Sequence, residues 1–168
     1  MTIYKIICSD NAEFDLDLKA VNYIGLLRDM LNLTSDSAAP LASSTTPTPL
    51  PLVSGLIMKK ILEFVDHHKN DPPLPANYEI AIREQEHLDA WDEEFLKVDQ
   101  VTLYEILSAA NYLNIKTLLN ISCKKIAGMI RGKSVDELRA YFGALDDLTD
   151  EEKAAIEKEN ELLISGSM

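Results

Sequence analysis

Alternating side chains at the start of the chain predict a β-hairpin. Along residues 2–8, every second side chain falls into one of two sets, as on the two faces of a strand. Along residues 14–18, apolar residues alternate with aspartates. Ser9-Asp10-Asn11 lies between these runs and is typical of a turn. Apolar residues then recur at helical spacing and predict a first helix over about residues 20–32.

Two stretches that lack a periodic apolar face predict loops. Residues 34–49 are almost entirely Ser, Thr, Ala and Pro, which predicts a mobile surface loop. Residues 50–53 then predict a short edge strand, where a proline is tolerated. Residues 74–90 predict an acidic loop, and the same polar composition extends that prediction to residue 94.

Helices are predicted on both sides of the acidic loop. The first has one apolar face that includes Ile57, Ile61 and Phe64, and Asp71-Pro72-Pro73 ends it. Asp99 is placed to cap a helix after the loop, and a further helix follows. The apolar face of this further helix consists of Leu119, Cys123, Ile126 and Ile130.

The end of the chain carries two capping-box signals. Ser134 precedes Glu137 by three residues, and Thr149 precedes Glu152 by three, so each hydroxyl and carboxylate can satisfy helix N–H groups reciprocally. Two short terminal helices are therefore predicted. Their apolar residues are few for helices that must close a core alone, which leaves room for a partner. The predicted fold class is α+β and mostly helical.

Composition restricts the classes of function. The 168 residues are 46% apolar and 26% charged, which predicts one compact domain with a small appendage. No window approaches about 18 consecutive apolar residues and the N-terminus lacks a basic-then-apolar layout, so neither a membrane span nor a secretory signal is expected. The net charge of −12 disfavours nucleic acid as a partner. Five basic residues and no acid occupy 114–133, whereas eight acids and two lysines occupy 146–161, so we expect a surface that steers a protein partner.

Candidate catalytic and ligand-binding residues have simpler structural explanations. The string from Gly128 to Ser134 resembles a P-loop but is one residue short, and helical periodicity precedes it; a helix end followed by a capping box is predicted instead. No metal site is expected at the histidines, and no catalytic residue or cofactor is expected. Cys8 and Cys123 are predicted to be buried free thiols, and the carboxylates of residues 92–94 are predicted to be solvated.

The sole tryptophan, Trp91, adjoins a dense acidic stretch and lies close to Phe95. Aromatic side chains often anchor protein interfaces. On composition alone, packing of Trp91 in the core is the favoured interpretation.

Five strings spread over most of the chain resemble the Skp family of adaptor proteins. They are Asp66-His-His-Lys-Asn-Asp-Pro-Pro73, Trp91-Asp-Glu-Glu-Phe-Leu-Lys-Val-Asp-Gln100, Ala109-Ala-Asn-Tyr-Leu113, Cys123-Lys-Lys-Ile-Ala-Gly-Met-Ile-Arg-Gly-Lys133 and Lys158-Glu-Asn160. By this resemblance, residues 1–130 should form a BTB/POZ-like domain. Residues 131–168 should form a C-terminal helical extension that binds an F-box.

The resemblance also implies a function and its contact residues. A non-catalytic adaptor of an SCF-type (Skp–cullin–F-box) E3 ubiquitin ligase is expected, located in the cytoplasm and nucleus, which links a cullin to F-box proteins for ubiquitin-dependent degradation. Asn111 and Tyr112 match family positions at the cullin contact. The expected F-box-binding residues are Leu119, Cys123, Ile126, Ile130, Leu138, Phe142, Ile156 and Leu162.

Three departures from the family pattern restrict this expectation. Residues 34–49 replace a stretch that is usually acidic, Val101 replaces a glycine, and the C-terminus lacks the family's tryptophan. Because leucine cannot reproduce the contacts of an indole, F-box choice or affinity is expected to differ. Two alternatives stay open: an elongin-C-like adaptor for another receptor class, and a self-associating BTB scaffold that acts outside ubiquitin transfer.

Overall fold

Three short strands and eight helices make up the part of the chain that the structure describes. The computed structural model describes residues 3–35, 47–72, 77 and 88–165, without the side chains of residues 31–35 and 162–165. The strands are β1 (Tyr4–Cys8), β2 (Glu13–Leu16) and β3 (Thr48–Leu50). The helices are α1 (Leu18–Tyr23), α2 (Gly25–Ser35), α3 (Gly55–His68), α4 (Ala90–Phe95), α5 (Gln100–Tyr112), α6 (Lys116–Ile130), α7 (Val135–Phe142) and α8 (Asp150–Ser165). The predicted α+β, mostly helical class is confirmed.

Contacts divide the chain into two units. The N-terminal unit comprises Met1–Met129 and the C-terminal unit Ile130–Met168. Among the described residues, no helix combines the length and the apolar character that a bilayer crossing requires.

The predicted hairpin is confirmed. Strands β1 and β2 pair antiparallel, with Tyr4 opposite Leu16 and Ile6 opposite Phe14. Cys8 N–H donates to the carbonyl of Ala12 over 2.9 Å and closes the turn. Asn11 adopts a left-handed φ of 63° there, a conformation that asparagine tolerates better than most residues.

The third strand lies at the edge of the sheet, two residues earlier than predicted. Strand β3 runs parallel to β1, with Ile6 opposite Thr48 and Cys8 opposite Leu50, in the order β2-β1-β3. Pro49 is tolerated because an edge strand needs hydrogen bonds on one side only. The predicted loop over 34–49 is therefore wrong at both ends, because Thr34 and Ser35 belong to α2 and Thr48 and Pro49 to β3. Residues 36–46 lie outside the described residues.

The single helix predicted over residues 20–32 is wrong, because the chain forms two helices, α1 and α2. Ile24 is extended at the junction, with φ −81° and ψ 103°. The N–H of Leu26 donates to the carbonyl of Leu113 over 3.0 Å. A contact with a segment nearly ninety residues away therefore interrupts a pattern that is locally helical.

Gly25→Ala is expected to lower the free energy of unfolding of the N-terminal unit by about 1–3 kcal/mol. A Cβ at Gly25 would lie 2.6 Å from the carbonyl oxygen of Asn114, so the backbone must shift. The control is Gly128→Ala, where a Cβ would meet nothing within 4 Å; it should be neutral or slightly stabilising. Urea denaturation followed by circular dichroism compares them, and equal effects would contradict the close contact at Gly25.

Helices α3 and α5 carry much of the core of the N-terminal unit. Phe64 and Ile106 are no more than 1% exposed. Helix α3 ends at His68, before Asp71, as predicted. Asp99 caps α5 as predicted, since its carboxylate accepts from Thr102 N–H over 3.0 Å and from Thr102 Oγ1–H over 2.6 Å. The core side chains below 2% exposure with the largest volumes are Phe64, Ile6, Ile24, Leu27, Leu50, Met58, Ile61, Leu96, Leu103, Ile106, Leu113 and Ile115.

Both capping boxes are confirmed. Ser134 Oγ accepts from Glu137 N–H over 3.3 Å, and Glu137 Oε2 accepts from Ser134 N–H over 2.7 Å. Thr149 and Glu152 form the same reciprocal pair with the same hydroxyl-to-amide distance. The near-P-loop string is a helix end followed by a capping box, as predicted. The second terminal helix is not short, however, since α8 has 16 residues.

The two cysteines differ in burial. Cys8 is buried in β1, and burial, with a smaller contribution from the charge of Asp10, raises the pKa of its thiol. Cys123 is exposed, so the prediction of a buried thiol there is wrong. Helix α6 buries Leu118, Ile121 and Ser122 instead, and one further residue along the helix turns Cys123 outward.

Candidate protein-binding surfaces

An open groove of about 650 Å³ runs along one side of α5 in the N-terminal unit. Residues of the segment from β3 to α3 form its opposite wall. Leu52 and Val101 line it and are 72% and 68% exposed. Exposed apolar side chains that border a groove are typical of a protein-binding surface. We call this feature the α5 groove.

The spacing of residues along α5 places the predicted cullin contact on the helix face that lines the α5 groove. Val101, Glu105 and Ser108 line the α5 groove, and Tyr112 follows Ser108 by four residues. Residues three or four apart share one helix face, so Tyr112 continues this face at the end of α5. Tyr112 is half-buried against the core, and Asn111 beside it is exposed.

Sequence reasoning missed Leu52 as a surface residue. Strand alternation in residues 50–53 placed Leu52 on the same side as the buried Leu50. In the structure the strand ends at Leu50 and Leu52 lies in a turn, so its side chain faces solvent. Pro51 between the two leucines was the available signal for this turn.

Four predicted F-box contacts lie on α6, and three of them lie within the N-terminal unit. Leu119 and Ile126 are half-buried, and Cys123 between them is exposed. Their spacings of four and three residues place them on one face of the helix. The predicted F-box contacts of the N-terminal unit therefore form one partly exposed face of α6.

The remaining predicted F-box contacts belong to the C-terminal unit. Ile130 and Leu138 are half-buried, whereas Phe142 and Ile156 are 53% and 45% exposed. The side chain of Leu162 lies outside the described residues.

None of residues 130–161 is buried in this structure. Further apolar side chains that sequence reasoning did not assign are also exposed there, with Val135 at 65% and Leu145 at 87%. A chain segment normally buries its apolar residues to offset the entropy of ordering. The C-terminal unit therefore exposes a surface suited to burial by another protein.

Ion pairs connect the segments of this unit. Arg139 of α7 lies 3.3 Å from a carboxylate oxygen of Asp146, and Lys153 of α8 lies 2.7 Å from the other oxygen. The hydrogen bond from Lys153, with a contribution from the charge of Arg139, lowers the pKa of Asp146. These contacts hold the segment between α7 and α8 to both helices without a buried core.

The sole tryptophan packs inside the N-terminal unit. Trp91 is half-buried, stacks on His67 with ring centroids 3.9 Å apart, and lies 5.2 Å from Phe95. It belongs to α4, so the loop predicted as far as residue 94 is wrong from Ala90 onward. Residues 74–76 and 78–87 of that stretch lie outside the described residues.

Asp92 does not have the solvated side chain predicted for it. It is 7% exposed and lies 3.0 Å from a ring nitrogen of His68, 24 residues away. The run Asp-Glu-Glu itself gives no signal for such pairing, because the partner is distant in sequence. Within the described ranges, no three His, Cys, Asp or Glu side chains are grouped so as to hold a metal ion.

Comparison with known proteins identifies the family. The sequence model described as "Skp1 family, dimerisation domain" matches residues 116–162. The chain is 40% identical to "Suppressor of kinetochore protein 1" of Schizosaccharomyces pombe, over 96% of this chain and 97% of that protein. It is 39% identical to "E3 ubiquitin ligase complex SCF subunit sconC" of Arthroderma benhamiae, over 91% and 90%. The protein of that name from Talaromyces stipitatus is 44% identical, over 80% and 82%. At this identity and coverage, the chain belongs to the Skp1 family.

Proposed function

We propose that this chain is a non-catalytic adaptor subunit of an SCF-type E3 ubiquitin ligase. It links the N-terminal region of a cullin to F-box substrate receptors for ubiquitin-dependent protein degradation. Relatives that match 91% and 80% of this chain carry the name of an SCF subunit, which supports this assignment. The observation that carries the proposal is the C-terminal unit, in which none of residues 130–161 is fully buried, so that its apolar side chains offer a surface for another protein to cover.

The proposal extends to the fold of each unit. Residues 1–130 form a BTB/POZ-like domain, and residues 131–168 form the helical extension that binds the F-box. An opening hairpin followed by helices, with β3 added parallel to β1, is consistent with this assignment. The two capping boxes start α7 and α8, so the extension has its own helix-start signals.

The cullin is proposed to bind at the end of α5 and along the α5 groove. Asn111 is exposed and can donate or accept hydrogen bonds, while Tyr112 offers a flat ring with a polar hydroxyl. Leu52 and Val101 supply exposed apolar surface in the same groove. An apolar centre with a polar border is the usual anatomy of a specific interface.

The F-box is proposed to bind α6 and the C-terminal unit. On α6, Leu119, Cys123 and Ile126 supply one partly exposed face. In the C-terminal unit, Phe142 and Ile156 are exposed enough to lose a large apolar area on binding. An F-box segment with its own apolar helical face would bury these side chains.

The contribution of such an adaptor to ubiquitin transfer is geometric. By holding a receptor-bound substrate at a fixed distance from the ubiquitin-transferring enzyme, it raises the effective concentration of one for the other. No bond is made or broken by the adaptor itself. Its proposed location is the cytoplasm and nucleus, where its partners would meet it.

Reconstitution of a three-component complex tests this function. The chain, a cullin N-terminal domain and an F-box segment are mixed and separated by size-exclusion chromatography with light scattering. We expect one ternary peak with each component present once, and no cullin–F-box complex when the chain is omitted. Binding of the F-box without the cullin would overturn the bridging role, and binding of neither would overturn the adaptor assignment.

Light scattering of the chain alone, at several concentrations, tests the alternative of a self-associating scaffold. The matching family model has "dimerisation domain" in its description, and it spans α6, α7 and most of α8. A self-association that persists when the F-box segment is added would favour this alternative. Self-association that the F-box segment abolishes would show that both use the same surface.

A further inference from the structure

His68 lies between two carboxylates at the end of α3. Its Nδ1 is 2.6 Å from Oδ2 of Asp71, and its Nε2 is 3.0 Å from Oδ1 of Asp92. Asp71 follows α3 closely along the chain, whereas Asp92 belongs to α4. The two ring nitrogens therefore connect the end of one helix to another helix.

This geometry requires a particular protonation state. A neutral imidazole has one N–H, so it can donate to only one of two carboxylates. At the other nitrogen, a lone pair would then face the lone pairs of a carboxylate oxygen. Only the imidazolium donates at both nitrogens and satisfies both distances, as two charge-assisted hydrogen bonds.

Burial raises the free-energy cost of losing the contact between His68 and Asp92. The side chains of His68 and Asp92 are only 16% and 10% exposed. A carboxylate in such a place needs a charged or hydrogen-bonded partner, because water cannot fully solvate it. Loss of the proton from His68 would leave a ring lone pair facing one of the two carboxylates, so the hydrogen bond to Asp71 or to Asp92 would be replaced by repulsion.

We propose that His68 is a proton-operated latch that holds α4 against the end of α3 when its imidazole is protonated and releases α4 when the proton is lost. Asp92 is the contact on α4, and Asp71 orients the ring. The latch belongs to the fold of the N-terminal unit and does not depend on the function proposed above.

The groups around the ring support this assignment. On α3 the ring packs against Phe64, at 4.3 Å between centroids, and against His67, at 4.7 Å. From α4 it meets Asp92 and the edge of Trp91, at 5.4 Å.

Within the part of the chain that the structure describes, Asp71, Asp92 and His67 are the titratable groups in contact with the His68 ring, and Tyr23 of α1 lies beyond them. Tyr23 lies near both carboxylates: burial first, and then the charges of Asp71 and Asp92, raise the pKa of its phenol. The negative charges of the two carboxylates favour the imidazolium.

The direction of the pH dependence follows from the same contacts. Burial lowers the pKa of His68, but the hydrogen bonds to Asp92 and Asp71 outweigh it, so the pKa is raised above 6.5 in the folded protein. A raised pKa in the folded state contributes stability that is complete below the ordinary value. That stability is lost as the pH rises through the folded-state pKa, so α4 should be released on the alkaline side.

Nitrogen-15 NMR of the histidine rings tests the latch directly. In the wild-type chain at pH 6, we expect both ring nitrogens of His68 to be protonated and its pKa to exceed the ordinary histidine value of about 6.5. Asp92→Asn removes one anionic acceptor with little change in volume, so the pKa of His68 should fall. A single neutral tautomer of His68 at pH 6 in the wild type would overturn the proposal.

Hydrogen exchange tests whether the proton controls α4. The amides of Glu93 and Leu96 donate to Asp89 and Asp92 and report opening of this helix. After correction for intrinsic exchange, their opening constant should rise with pH, by about tenfold for each unit by which the His68 pKa is raised. His68→Gln should abolish that rise, whereas His67→Gln, which removes the ring stacked on Trp91, should keep it.

Each outcome of the exchange experiment is decisive. An opening constant that is independent of pH in the wild type, or one that still rises in His68→Gln, would overturn the latch. If His68→Gln does not fold, the NMR titration and the wild-type exchange profile still decide the question.

Discussion

Phe64→Ala is expected to lower the free energy of unfolding of the N-terminal unit by about 3–5 kcal/mol. Phe64 is 1% exposed in α3 and is surrounded by other rings. Its centroid lies 5.5 Å from that of Phe95, 6.2 Å from that of Trp91 and 6.5 Å from that of Tyr23. Removal of the ring leaves a cavity that these side chains can refill only in part, and it also removes aromatic pair contacts.

The control for Phe64 lies on the same helix. Leu56 is 67% exposed, so Leu56→Ala should change the free energy of unfolding by no more than about 0.5 kcal/mol. Guanidinium denaturation followed by far-ultraviolet circular dichroism measures both variants. Fluorescence is unsuitable, because Trp91 itself contacts Phe64. A loss below about 1 kcal/mol for Phe64→Ala would contradict the packing described for α3 and α4.

Asn111→Ala/Tyr112→Ala is expected to weaken binding of a cullin N-terminal domain by about 2–4 kcal/mol, roughly 30- to 700-fold in Kd. Tyr112 supplies an aromatic ring of the kind that dominates interface energetics, and Asn111 supplies polar atoms at its exposed edge. Isothermal titration calorimetry against the cullin domain measures the loss. Affinity for an F-box segment should be unchanged, because its proposed contacts lie on other helices.

Phe142→Ala provides the reciprocal control. It should weaken F-box binding and leave cullin binding unchanged, since Phe142 is 53% exposed on α7 and belongs to the C-terminal unit. Because Tyr112 is half-buried, Asn111→Ala alone separates a lost contact from a disturbed fold. If the double variant loses both partners equally, the effect is on folding; if it loses neither, the cullin does not bind at the end of α5.

Part of the candidate site could be predicted from the sequence, and part could not. The strings Ala109-Ala-Asn-Tyr-Leu113 and Cys123-Lys-Lys-Ile-Ala-Gly-Met-Ile-Arg-Gly-Lys133 were sufficient to nominate contact residues, and comparison over the full chain established the family. The α5 groove was not predictable, because Leu52 and Val101 meet there from segments about fifty residues apart. Nor did composition show that none of the described side chains of the C-terminal unit would be fully buried, which depends on how α7 and α8 pack.

The sequence by itself determined the elements whose causes are local. The hairpin, the C-terminal end of α3 and the caps at Asp99, Ser134 and Thr149 depend on alternation, on proline, or on side chains that reach amides three residues away. Such hydrogen bonds form within one turn, so the order of the residues specifies them. Each of these predictions is confirmed.

Only the tertiary structure decided the features whose causes are distant in the chain. The break between α1 and α2 depends on the hydrogen bond from Leu26 to Leu113, and β3 depends on pairing with β1. Asp92 is buried because His68 meets it from another helix. Interrupting a helix and burying a charge both cost free energy, and a contact with a distant residue offsets that cost. Because this contact forms only when the chain has folded, no local pattern in the sequence reveals it.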